Sequence, residues 1–329
     1  MTQARTTTIS SNSLLVVHGR GCKPPAENLQ ELVAAALRAG VERDFPGHLD
    51  QYDRVDVQLA YYGDLNNEIL SGRGRHYDAK IDLGDRGNAL AALRNLGARK
   101  RFSIRQYDCL PGKTAVPEFV ASIVAPLCSA IGLTRPLVGR LAPDFAKYIG
   151  GEPAHAEAVR ERVRNALCAM LDRGDRVMLV SHGTGCVVAY DVLWQLSHDA
   201  RFATQYADAK IDTWLTLGAP LGDRGIRRYL LGHKGEPVSF PQNVITWHNV
   251  AAEDDYTCHD NTLADDFRKM LERRVISTVQ DYRVYNLAVR YGRSNPHSSV
   301  GYFIHPRVSK IIADWLQTPA LETDPINTL

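Results

Sequence analysis

The segment Val177-Met178-Leu179-Val180-Ser181-His182-Gly183-Thr184-Gly185-Cys186-Val187-Val188-Ala189-Tyr190 constrains this chain more than any other. Its first four residues read as a buried strand, the Ser-His-Gly-Thr-Gly run as a sharp turn, and the apolar residues beyond as the start of a helix. A strand that turns directly into a helix brings two backbones close together. The positions flanking the turn must therefore be small, and Ser181 and Gly185 occupy them. Gly183 stands at the tip.

The rest of the chain repeats the same alternation. Leu14 to Val17 is a short apolar run ending in His18-Gly19, and Val55, Val57, Leu59 and Tyr61 alternate as a half-buried strand does. After Pro25, residues Leu29, Leu32, Val33, Ala36 and Leu37 fall at helical spacing. So do Val159, Val163, Leu167, Met170 and Leu171 between Pro153 and Gly174. Thr213 to Leu217 and Val244 to Trp247 read as later strands, and Val308, Ile311, Ile312, Trp315 and Leu316 as the inner face of a closing helix. Strands alternating with helices predict an α/β fold with a mostly parallel central sheet and helices on both faces. One domain is expected over 13–317, with tails at 1–12 and 318–329. Residues 107–148, rich in proline and apolar side chains, interrupt the alternation as either an inserted helical cap or a pair of ordinary packing helices.

Composition narrows the class. With 44% hydrophobic residues in 329, a large core can be buried, and the net charge of +2 over mixed signs gives no clustered basic face for nucleic acid. No run approaches the roughly 18 apolar residues of a transmembrane helix. Six dispersed cysteines without a CxxC pair, and a polar MTQARTTTISSNS start without the apolar core of a secretory signal, lead us to expect a cytoplasmic setting.

Several residues have the chemistry of a site. Val16-Val17-His18-Gly19-Arg20-Gly21 resembles the HG loop that follows an early strand in lipases and esterases, where small residues let backbone N–H groups point at a developing negative charge. Asp255 follows a later strand in WHNVAAEDD, with Asp254 as the competing acid and two solvated aspartates as the alternative. Cys258-His259-Asp260 has ligand types for a metal but no second half-site at structural-zinc spacing. His297, in NPHSSVGY before the closing helix, is the candidate base; His305 competes with it, and a surface or capping role is the plain alternative for either. Arg20 and Lys23 flank the HG loop as attractors for an anion or as solvated charges, while Arg224, Arg227 and Arg228 read as an exposed helix face.

Together VVHGRG, VSHGTGCVVAYDVL, TLGAPLG, WHNVAAEDD and NPHSSVGY resemble the α/β-hydrolase superfamily, specifically its lipase and esterase-like members. They span Leu14 to Leu316 in the family's order. The resemblance implies a nucleophile elbow with Gly183 at the nucleophile position, Asp255 as orienting acid and His297 as base. It also implies an oxyanion hole from Gly19, Arg20 and Thr184, no cofactor, and a small acyl or ester ligand. The departure is Gly183, where the attacking serine belongs. Ser181, Thr184 and Cys186 are poor substitutes: Ser181 precedes the turn, Thr184 supplies the oxyanion N–H, and Cys186 is already on the helix. Serine-type hydrolysis is therefore expected to be weak or absent. Three readings of Gly183 stay open: a pseudo-hydrolase that binds a ligand or a protein, hydrolysis by a water held where the hydroxyl would sit, or a serine hydrolase changed at its nucleophile.

Overall fold

The computed structural model describes residues 11–96, 102–112, 142–150, 152–233, 235, 237–255, 258 and 262–318. Six strands form one sheet in the order β2-β1-β3-β4-β5-β6, every pair parallel. They are β1 (Asn12–Val17), β2 (Asp56–Ala60), β3 (Arg176–His182), β4 (Ile211–Leu217), β5 (Val244–Ala252) and β6 (Thr278–Val284). A small antiparallel hairpin joins β7 (Val289–Arg290) to β8 (Arg293–Ser294). The helices that matter below are α1 (Ala26–Asp44), α2 (Gly63–Ser71), α3 (Ala79–Arg94), α4 (Pro143–Gly150), α5 (Pro153–Asp172), α6 (Gly185–His198), α7 (Ser299–Phe303) and α8 (Pro306–Gln317).

A parallel sheet needs cover on both faces, and its central strands show it: β3 is buried along its whole length. Side chains alternate between two cores. Leu15, Val17, Leu179 and Trp214 pack toward α5 and α6, while Leu14, Val16, Met178 and Val180 pack toward α1 and α8. Trp214 and Trp247 stack at 4.4 Å, and each indole N–H is satisfied, by Ser181 Oγ at 2.9 Å and Thr216 Oγ1 at 3.0 Å. The hydroxyl of Ser181 is thus committed to the core.

The predicted α/β class, with a parallel sheet covered by helices, is what the structure has. The first strand begins at Asn12, inside the segment expected as a tail. The sequence reading did not anticipate β6 or α3. The remainder of the expected N-terminal tail (1–10), residues 319–329, the middle of the expected cap (113–141), and His259 and Asp260 lie outside the described residues. Among the described residues no helix is long and apolar enough to cross a membrane. Of the three arginines read as an exposed face, Arg227 instead is partly buried and pairs with Asp266 at 2.5 Å.

The strand order reverses between β1 and β3. In open α/β sheets that is where a crevice opens beyond the carboxyl ends of the strands. Its floor is the turn from β3 into α6. A Cβ on Gly185 would fall within van der Waals distance of the His18 carbonyl oxygen and 2.8 Å from that of Val17. Both obstructing atoms are backbone and cannot swing away. Gly185→Ala should therefore cost about 3 kcal/mol or more by overpacking, read as a lowered urea midpoint at unchanged slope.

Candidate active site

The ends of four neighbouring strands converge on this crevice: His18 follows β1, Gly183 follows β3, Gly218 follows β4, and Asp255 lies just beyond β5. The loop before α7 brings His297 over them. His297 Nδ1 donates to Asp255 Oδ2 at 2.9 Å, and the Asp255 side chain is fully buried. The Tyr302 hydroxyl donates to the same oxygen at 2.7 Å and accepts the Ala252 N–H at 2.8 Å. The carboxylate is therefore held from two sides. Gly218 makes room for this cluster, since a Cβ there would lie 2.7 Å from Asp255 Oδ2.

The two aspartates of the pair diverge. Asp254 takes a left-handed backbone (φ 60°) and accepts from the Tyr107 hydroxyl at 2.9 Å, away from His297. His305 caps α8, accepting the Arg307 N–H at 3.0 Å on Nδ1, and does not line the crevice.

With Nδ1 engaged by Asp255, the other ring nitrogen of His297 faces Gly183. A Cβ built on Gly183 would lie 2.9 Å from Nε2 and 3.1 Å from Cε1. Gly183 itself has φ 56°, the left-handed region that glycine enters without the cost a side chain brings. Gly183→Ser should thus lower stability by about 1 kcal/mol, with the imidazole shifting slightly to admit the new Cβ; thermal unfolding and a structure of the variant check both.

Backbone donors stand beside this position. The N–H groups of Gly19, Arg20 and Thr184 make no hydrogen bond among the described residues. A Cβ on Gly19 would be 3.6 Å from Thr184 N, so the two turns face each other. The Cys186 thiol is buried beneath, near Ser181 Oγ at 3.3 Å, and burial pushes it up to about 12, so it stays protonated.

Two further histidines brace the turns. His182 Nε2 donates to the His297 carbonyl at 3.1 Å; burial, then the neighbouring His297, holds its pKa well below the usual range. His18 accepts the Tyr62 N–H on Nε2 at 3.1 Å and donates from Nδ1 to the Gly19 carbonyl at 2.9 Å. Burial, then Lys23, brings it down to about 3.

The crevice opens into a cavity of about 500 Å³ with two unlike walls. Leu29, Val33, Ile81 and Phe303 give an apolar side. The other is charged: Asp82 of α3 accepts from Arg86 at 2.6 Å, Arg290 at 2.7 Å and Tyr291 at 2.8 Å. Among the described residues no three His, Cys, Asp or Glu side chains cluster as a metal site would require.

The sequence reading brought Gly19, Arg20, Gly183, Thr184, Asp255 and His297 to one place. It did not single out Tyr302 or His182, nor the charged wall from α3 and the hairpin. Tyr302 lay in the quoted NPHSSVGY motif, five residues beyond His297, one turn into the helix. The wall had no local signal, because Asp82 and Arg290 are distant in sequence. No protein-family model, curated protein or solved structure matches this chain.

His18 makes acid stability a test of this arrangement. Unfolded, its imidazole takes a proton near pH 6.5; folded, it takes none until about pH 3. Its contribution is therefore complete above pH 6.5 and is lost as pH falls from there toward 3. Replacing it by asparagine should flatten the loss of unfolding free energy between pH 6 and 4 by up to about 1.4 kcal/mol per pH unit, measured by urea titration at each pH.

Proposed function

We propose that this chain is an α/β-hydrolase-superfamily protein of the lipase and carboxylesterase type, with acid, base and oxyanion donors assembled around a nucleophile position held by glycine. The observation that carries the proposal is the direction of the Gly183 Cβ vector. It leads to within 2.9 Å of His297 Nε2, on a ring whose Nδ1–H is held by Asp255. With the imidazole shifted to admit that Cβ, a hydroxyl on it would come within reach of Nε2, the relation a nucleophile and its base need. A serine at 183 would offer its hydroxyl proton to Nε2, and the resulting imidazolium would face the Asp255 carboxylate. The unengaged N–H groups of Gly19, Arg20 and Thr184 would receive the negative charge that forms on the carbonyl oxygen.

Without that hydroxyl the chain is expected to bind a small acyl or ester compound in the cavity and to hydrolyse it weakly or not at all. In serine proteases, oxyanion donors and binding alone leave roughly 10³–10⁴-fold catalysis over water. A second reading, a non-catalytic pseudo-hydrolase that binds a ligand or a protein, is favoured by the relaxed left-handed backbone at Gly183, which a serine would strain. The two share one scaffold and differ in whether the base still acts.

Labelling with a fluorophosphonate separates them. The unaltered chain should stay unlabelled, Gly183→Ser should label, and adding His297→Ala to that variant should abolish labelling. A folded Gly183→Ser chain that does not label overturns the hydrolase proposal and leaves the binding one.

A further inference from the structure

The charged wall of the cavity is balanced on one side and open on the other. Arg86 and Arg290 are both tied to Asp82, and Arg290 is tied to Asp85 as well. Arg20 and Lys23 have no carboxylate within ion-pair distance among the described residues, although both line the cavity beside the proposed oxyanion loop. The Lys23 ammonium is turned onto two backbone carbonyls, those of Arg20 and, at 3.3 Å, Gly21. Carbonyls solvate an ammonium group but do not neutralise it. Burial, then the charge of Arg86, brings its pKa down to about 7, against the opposing charge of Asp144, whose carboxylate accepts the Gly21 N–H at 2.6 Å. An anion in the cavity would relieve both effects.

Ser298, next to His297, also lines the cavity, with its hydroxyl buried and without a hydrogen-bond partner among the described residues. Leu29, Val33 and Phe303 give the same cavity an apolar lining.

Resting on the hydrolase reading above, we propose that the ligand is an acyl ester whose acyl chain carries its own carboxylate, with the chain against the apolar side and the carboxylate on Arg20 and Lys23. A neutral lipid-like acyl group would bring no carboxylate to either cation. A charge-assisted bond to a carboxylate is worth about tenfold in affinity or more, which makes the choice measurable.

The test compares two esters of equal acyl length on the Gly183→Ser variant: 4-nitrophenyl hexanoate and the mono-4-nitrophenyl ester of adipic acid. The ratio of kcat/KM, anionic over neutral, should exceed about ten and should fall about tenfold or more with Lys23→Met and Arg20→Met together, while Lys23→Arg should keep it. Equal rates, or a preference for hexanoate, overturn this proposal and leave the hydrolase reading standing. If the variant cleaves neither ester, fluorophosphonate labelling tells whether the hydrolase reading has failed, and binding to the unaltered chain decides this one. Free adipate should then raise its melting temperature, beyond sodium chloride at matched ionic strength, and fail to do so after Lys23→Met. No such shift overturns the proposal. Inorganic phosphate in the same assay tells whether the site takes any anion or requires the apolar chain: a phosphate effect equal to that of adipate also counts against it.

Discussion

The close approach between the turn after β3 and the end of β1 is the constraint on which the candidate site depends. Gly185 lets α6 start against the carbonyls of Val17 and His18, with no space for even one methyl group. That contact places the Thr184 N–H beside Gly19 and turns Gly183 into the left-handed region under His297. It also buries His18 and His182, so that each remains neutral with its ring oriented by a hydrogen bond. Backbone packing here sets the side-chain chemistry around it.

A second level of support comes from the segments after β5 and before α7. Asp255 would be a costly buried carboxylate if nothing paired with it; Tyr302 and His297 both donate to one of its oxygens. Tyr302 in turn takes the Ala252 N–H, tying α7 to the end of β5. The His297 loop is therefore held at its backbone by His182, at its ring by Asp255, and through the following helix by Tyr302.

What could be read from the sequence was local. The β3 strand, its turn and α6 are consecutive, and small residues at Ser181 and Gly185 signal the crossing before any tertiary contact exists. Asp255 and His297 were legible as residues placed after a strand and before a closing helix. What escaped depends on distant partners. Asp82 meets Arg290 across 208 positions, and α3, with a weakly amphipathic face, gives little periodic signal. β6, a sheet-edge strand with few fully buried positions, lacks the apolar run that marks β3. Choosing between Asp254 and Asp255 required the left-handed turn at Asp254, which no composition reveals.

The absent side chain at Gly183 changes what the time spent by a ligand in the cavity means. In a site that cleaves its ligand, occupancy is a steady state between arrival and turnover. Where nothing attacks, what enters leaves unchanged, and occupancy follows free concentration alone. Under the proposed reading, such a cavity would take up and release its ligand without consuming it, relaxing at a rate set by association and dissociation together.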